Sequence, residues 1–266
     1  MSQTVRFLRR LLALSVAAVT LFPAGARAQL SLLHLRGGFS NGEYGTLDAQ
    51  GWTARLNAGF GVANIANEAL AGNTLATLGG YDRLIISLAP TPTALTAEQA
   101  AAIQAFAAAG KRAVLVGEFG PWGAWSASLL ATVGGTLADP GNPSCGFNPP
   151  PTFAQTTAPV IGGTLTAGVT AVSPACAAGI AGGTAVFDFA FASLFGAQRN
   201  VLVLRDSDIF RDQYAGLADN ARFVQNTADW LAESPASTVP EPTTTLLLGA
   251  GLLAVAGVAR RRRHAT

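Results

Sequence analysis

Between residues 29 and 233, short apolar runs alternate with segments whose apolar positions recur every three or four residues. That rhythm predicts strands separated by helices. Residues 29–35 read as a buried strand, ending in the polar loop Arg36-Gly37-Gly38-Phe39-Ser40-Asn41. Residues 46–57 set Leu47, Trp52 and Leu56 near one helical face, and residues 61–65 read as a short second strand. Residues 83–89 suit a central strand that Pro90-Thr91-Pro92 stops. The run Thr96-Ala97-Glu98-Gln99 is a capping-box pattern and opens a helix that ends at Gly110. A strand at 113–116, a helix at 122–133 closed by Gly134-Gly135, a strand at 200–204 and a helix at 219–231 complete the series.

Short apolar strands joined by helices predict an α/β fold, a three-layer sandwich whose mainly parallel sheet is covered on both faces. A single domain over residues 29–235 would be doubly wound, in an order such as 2-1-3-4-5. Residues 136–195 break the rhythm: they are rich in Gly, Pro, Thr and Ser and hold short β-like pieces such as 185–191. They are expected to form a β-rich or irregular insertion between the fourth and fifth core strands. Phe187, Phe189 and Phe191 mark the stretch for packing rather than for a disordered linker.

The two ends follow other rules. Arg6, Arg9 and Arg10 precede an apolar run over 11–22 and the small-residue segment Ala24-Gly25-Ala26-Arg27-Ala28. This is the layout of a signal peptide over residues 1–28, which signal peptidase would remove to leave Gln29 first. At the other end, over residues 236–266, Pro240-Glu241-Pro242 is followed by an apolar stretch and by Arg260-Arg261-Arg262-Arg263. Residues 243–259 could just cross a thin bilayer, with the arginines held on the cytoplasmic side.

The order of motif, apolar span and arginine cluster resembles the PEP-CTERM sorting signal. That resemblance implies recognition and removal of the tail by exosortase, a transpeptidase-like membrane enzyme. It further implies a Gram-negative host, with passage through the inner membrane and periplasm to the outer envelope or extracellular matrix. Exopolysaccharide is the partner such a setting brings to mind.

Removing the ends changes the charge. The chain of 266 residues carries a formal +2, but the stretch 29–238 holds nine basic and fourteen acidic residues, a net charge of about −5. Nucleic acid is therefore not an expected partner. Cys145 and Cys176 both lie in this exported body, where an oxidising compartment favours a disulfide. Closing a loop of that size would contribute on the order of 3–4 kcal/mol. Free thiols or a two-ligand metal site are the alternatives, and the lack of a nearby His counts against metal.

The element order of the body also resembles the class I glutamine amidotransferase-like fold, a flavodoxin-related sandwich. Tyr81-Asp82-Arg83-Leu84-Ile85-Ile86 resembles its strand entry, and Gly117-Glu118-Phe119-Gly120 sits where its tight strand-to-helix elbow falls. Asp206-Ser207-Asp208 and Asp219-Asn220-Ala221-Arg222 resemble the closing strand-loop-helix. In active members the elbow carries a cysteine nucleophile served by a histidine. Here Glu118 holds that position, and His34 is the one histidine left after processing. No amidotransferase or peptidase activity is expected.

The remaining candidates gather where parallel strands end. Arg36 follows the first core strand, Pro90 the third and Glu118 the fourth, and Asp206 and Asp208 follow the fifth. Glu118 with Asp206 or Asp208 could act as the acid–base pair of a carbohydrate hydrolase. Asp206 and Asp208 could instead hold Ca²⁺ or Mg²⁺, or cap loops and pair with Arg205 and Arg211. His34 could be a hydrogen-bonded core residue or a catalytic one, and a serine on the elbow to partner it is missing. Trp122 and Trp125 suit either core packing or stacking on a sugar. Two functions follow: a noncatalytic binding or structural module of the envelope, requiring no cofactor, or the hydrolase built on Glu118.

Overall fold

The computed structural model describes residues 29–36, 52–89, 91–138, 156–175, 177–211 and 214–233. The signal segment, Pro90, the pairing of Cys145 with Cys176, and the tail with its span at 243–259 lie outside the described residues. Among the described residues, no helix is long and apolar enough to cross a membrane.

The strands are β1 (Leu32–Arg36), β2 (Ile65–Ala69), β3 (Arg83–Ile86), β4 (Arg112–Val116), β5 (Thr136–Leu137), β6 (Ile180–Ala181), β7 (Thr184–Ala185), β8 (Ala192–Phe195) and β9 (Val201–Leu204). The helices are α1 (Trp52–Phe60), α2 (Ala97–Ala108), α3 (Gly123–Val133) and α4 (Asn220–Ala232). A seven-stranded sheet runs in the order β2-β1-β3-β4-β9-β8-β7. Its first five strands are parallel, in the doubly wound order expected, and β8 and β7 continue it antiparallel. β5 and β6 pair separately.

Both faces of the central parallel strands are apolar, because side chains alternate across a pleated sheet that is covered twice. Leu32, Ile85, Val114, Leu202 and Leu204 face a core with Trp52 and Phe60 of α1 and Phe223 and Trp230 of α4. Leu33, Leu35, Leu84, Ile86 and Leu115 face a second core with Ile103 and Phe106 of α2 and Trp125 and Leu129 of α3. Phe187 and Phe191 stack on each other and meet the Phe223 ring edge-on, so the 136–195 stretch packs directly into the first core.

One expectation needs correction. Residues 61–65 are not the second strand: Val62–Asn64 is a 3₁₀ turn, and the strand begins at Ile65. Gly61, at φ 76°, turns the chain there, and the Asn64 side-chain amide donates to the Phe60 carbonyl at 2.8 Å. The strand escaped notice because Ile65–Ala69 lies at an edge and carries Asn67 and Glu68. The β-rich stretch lies between β4 and β9, the fourth and fifth parallel strands, and it also extends the sheet. Its last segment, β8, zips against β9 from Ala192↔Leu204 to Phe195↔Val201.

Helix termini follow the sequence closely. Thr96 Oγ accepts from the Gln99 amide at 3.2 Å, and the Gln99 side chain accepts from the Thr96 amide at 3.0 Å, a complete capping box on α2. Thr96→Ala is expected to lower stability by about 1 kcal/mol, read as a shifted urea midpoint at unchanged slope. Gly134, at φ 80°, closes α3 in the left-handed conformation that a side chain would resist.

Candidate functional site

The carboxyl ends of the parallel strands carry most of the buried polar side chains that can do chemistry. β4 leads into Gly117, where an added Cβ would stand 2.7 Å from Ser126 Oγ. This close approach lets Ser126 of α3 clamp the turn, accepting from the Glu118 amide at 2.9 Å and donating to the Glu118 carbonyl at 2.7 Å. The Glu118 side chain is thereby aimed across the sheet at the loop after β9. Its Oε2 accepts from the Ser207 amide at 2.9 Å and from Ser207 Oγ at 2.6 Å, while Oε1 accepts from the Phe119 amide at 2.9 Å.

Asp206 and Asp208 lie in the same nest. Asp206 Oδ2 accepts from the Ala175 amide at 2.8 Å, and Oδ1 from the Ile209 amide at 3.2 Å. Asp208 pairs with Arg211 at 3.1 Å. Glu118 and Asp208 are 5 % exposed and Asp206 is fully buried. Burial raises the pKa of Glu118 well above the ordinary carboxylate range, and the charges of Asp206 and Asp208 push it further. Asp206 is pushed up to about 7 by burial and by Asp208.

The three expected carboxylates therefore converge. Both oxygens of Glu118 and both of Asp206 already receive protein donors, however, and all three residues are buried. Among the described residues, no group of three or more His, Cys, Asp or Glu side chains is arranged to hold a metal ion. The cluster knits β4, β9 and the segment around Ala175 together.

A second polar constellation bridges β2, β1 and β3. His34 stands opposite Asn67 on one neighbour and Ile85 on the other. Its Nδ1 lies 3.1 Å from Asn67 Oδ1, and its Nε2 lies 3.2 Å from Ser87 Oγ, just beyond the end of β3. Arg36 Nε donates to the same Asn67 oxygen at 3.2 Å. Ser87 and Asn67 had gone unmarked in the sequence. The signal available was that Ser87 and His34 each interrupt an otherwise apolar, buried strand near its carboxyl end.

The indoles serve packing. Trp125 is buried and donates to the Val116 carbonyl at 3.0 Å, and the half-buried Trp122 donates to the Ala89 carbonyl at 3.1 Å. Asp219 precedes α4 as expected, but its carboxylate turns away from the helix to accept from Thr170 Oγ and from the amides of Thr170 and Ala171. At the opposite edge of the sheet, Arg83 and Arg112 lie side by side and close the end of α4. Arg83 donates to the Leu231 and Glu233 carbonyls, each at 2.6 Å, while Arg112 donates to the Trp230 carbonyl and pairs with Glu233 at 2.9 Å.

Comparison with known proteins bears on the tail and on the fold separately. Residues 238–263 match the model of the PEP-CTERM protein-sorting motif. The tail is a PEP-CTERM sorting signal. It contains Pro240, Glu241, Pro242 and the four arginines Arg260 to Arg263, and it marks the chain for export to a Gram-negative cell envelope and for processing by an exosortase-type enzyme. Among solved structures, the body is similar to the mmIFT52 N-terminal domain, with a TM-score of 0.56 at 14 % identity, over 77 % of this chain and 97 % of that one. That likeness concerns the fold alone.

An alpha-L-fucosidase isoenzyme 2 from Paenibacillus thiaminolyticus aligns at 16 % identity and a TM-score of 0.47, over 76 % of this chain and 33 % of that one. A cold-adapted beta-galactosidase from Rahnella sp. R3 aligns at 16 % identity and 0.45, over 80 % and 33 %. The chain spans a third of the length of each, and neither likeness carries an argument about activity. No curated protein matches the sequence.

Proposed function

We propose that the protein is an exported, exosortase-processed module that serves at the envelope as a binding or structural element, and that Glu118, Asp206 and Asp208 organise the fold rather than hydrolyse glycosidic bonds. One observation carries this reading. The oxygens an acid–base pair would offer to substrate and water are occupied by Ser207, Phe119, Ala175, Ile209 and Arg211. The amidotransferase-like ancestry of the body belongs to the same proposal. It is supported by the parallel strand order and by the tight turn at Gly117 that carries Glu118 in place of a cysteine. Exopolysaccharide is the ligand class to test first, because a sorting tail of this kind accompanies matrix production in the resemblance described above.

The test uses the full chain and its Glu118→Gln variant, presented with matrix polysaccharide. Retardation in affinity electrophoresis without release of reducing ends is expected for both proteins. Glycan turnover that vanishes in the variant would overturn the reading. Export makes a separate prediction: the envelope-associated form should lack the first 28 residues and be cut near Pro240, as measured by intact mass. A full-length cytoplasmic protein in the native host would contradict it.

A further inference from the structure

The hydrogen bonds around His34 fix its tautomer. Arg36 Nε can only donate, so the Asn67 atom it meets at 3.2 Å is the carbonyl oxygen. That same oxygen faces His34 Nδ1 at 3.1 Å, so Nδ1 carries the proton. In the neutral ring Nε2 is then an acceptor, and Ser87 Oγ, 3.2 Å away, is placed to donate to it. A hydroxyl thus gives its proton to an imidazole whose other nitrogen is held by a third side chain. This is the arrangement that general-base activation of a serine requires.

Its position is also telling. β1 and β3 are adjacent strands from which the chain proceeds in opposite directions, to β2 on one side and β4 on the other. The carboxyl end of such a pair is the switch point where open α/β sheets bind ligands. His34 and Ser87 straddle that point. Arg36 ends β1 beside them, and its half-buried guanidinium brings a positive charge to the same strand ends.

We propose that Ser87 is the nucleophile of a serine–histidine–asparagine relay that acts on carboxylic esters, with His34 as general base, Asn67 as its positioning residue and Arg36 as the cation for the developing oxyanion. Ser87 Oγ attacks the ester carbonyl carbon and passes its proton to His34 Nε2. The bond to the alcohol oxygen breaks, and the departing alcohol takes that proton. Water, deprotonated by His34, then cleaves the acyl-serine, releasing the carboxylic acid and restoring the Ser87 hydroxyl. O-acyl groups on an envelope polymer are substrates of this class. The activity goes beyond the binding or structural role and is independent of the carboxylate cluster.

Ser87 is 1 % exposed and His34 4 %, so the test uses a small reagent. The full chain, confirmed as folded by circular dichroism, is treated with a small alkyl fluorophosphonate and digested for mass spectrometry. The expected result is a single phosphonylated residue, Ser87, with labelling abolished in Ser87→Ala. His34→Gln should slow labelling by about a hundredfold or more, as expected for loss of a general base. Asn67→Ala, which frees the ring to turn, should slow it to a smaller degree. A folded wild-type chain that stays unlabelled, labelling elsewhere, or Ser87 labelling indifferent to His34→Gln would each overturn the proposal.

Discussion

Raising the pH from 5 to 8 is expected to lower the melting temperature of the folded body by roughly 5–10 °C. The cause is the carboxylate nest. Asp206 titrates at about 7 in the native protein because it is buried beside Asp208, and Glu118 is raised in the same direction by burial and by both aspartates. In the unfolded chain these groups lose their protons near pH 4. The native state therefore binds more protons than the unfolded state between about pH 4 and 7, and stability falls as pH rises through that window. For Asp206 alone this amounts to about 3 kcal/mol between pH 5 and 8, with the nest titrating as a unit.

Below that window the slope reverses. Asp82 is held below the ordinary range by Ser31, against the opposing effect of burial, so its contribution is lost as pH falls. Stability should peak in mildly acidic solution. Asp206→Asn, which keeps the shape and removes the charge, should flatten the alkaline limb. A wild-type melting temperature that rises steadily from pH 5 to 8 would show that the nest does not hold its protons.

Replacing Arg83 by Met should cost on the order of 3–5 kcal/mol, equivalent to about 10 °C in melting temperature. Arg83 is 2 % exposed and satisfies three carbonyls, those of Asp82, Leu231 and Glu233. Hydrogen bonds from a charged donor are the stronger kind, and their loss would leave the last carbonyls of α4 buried without that partner. Arg112 stands beside it in register and lowers its pKa, second to burial itself. The partial negative charge at the end of α4 makes this crowding of two guanidinium groups tolerable. Met preserves most of the apolar stem, so the expected loss reports hydrogen bonding rather than volume. A change in melting temperature under 2 °C would mean that the helix end is satisfied by other means.

The sequence disclosed some layers of this molecule better than others. Runs such as Leu84-Ile85-Ile86 and Ala113-Val114-Leu115-Val116 show central parallel strands because both of their faces are buried. Thr96, Gln99 and Gly134 announce helix ends through chemistry that is local in the chain. The edge strand Ile65–Ala69 stayed hidden because one-sided exposure admits Asn67 and Glu68, which read as loop. The placement of β8 beside β9 was equally illegible, since pairing partners are set by tertiary packing rather than by either segment alone.

The site divides in the same way. Glu118, Asp206 and Asp208 could be named, because charged residues at the ends of apolar runs stand out. That they would be buried, and supplied with backbone donors from Ala175 and Ile209, depends on contacts between distant segments. Ser87 and Asn67 were missed for a related reason. Each is an ordinary small polar residue until the sheet sets it beside His34.

The clamp formed by Arg83 and Arg112 has a consequence for how the domain is displayed. It pins residues 230–233 at the edge of the sheet where the parallel strands begin. The first residues of the body enter at that same edge, with Gln29 bonded to the Phe60 carbonyl and Ser31 to Asp82. The two ends of the described body, Gln29 and Glu233, therefore share one pole of the domain. His34 with Ser87, and Glu118 with Ser207, lie at the opposite pole, so a partner reaching either polar group approaches the face farthest from both ends of the body.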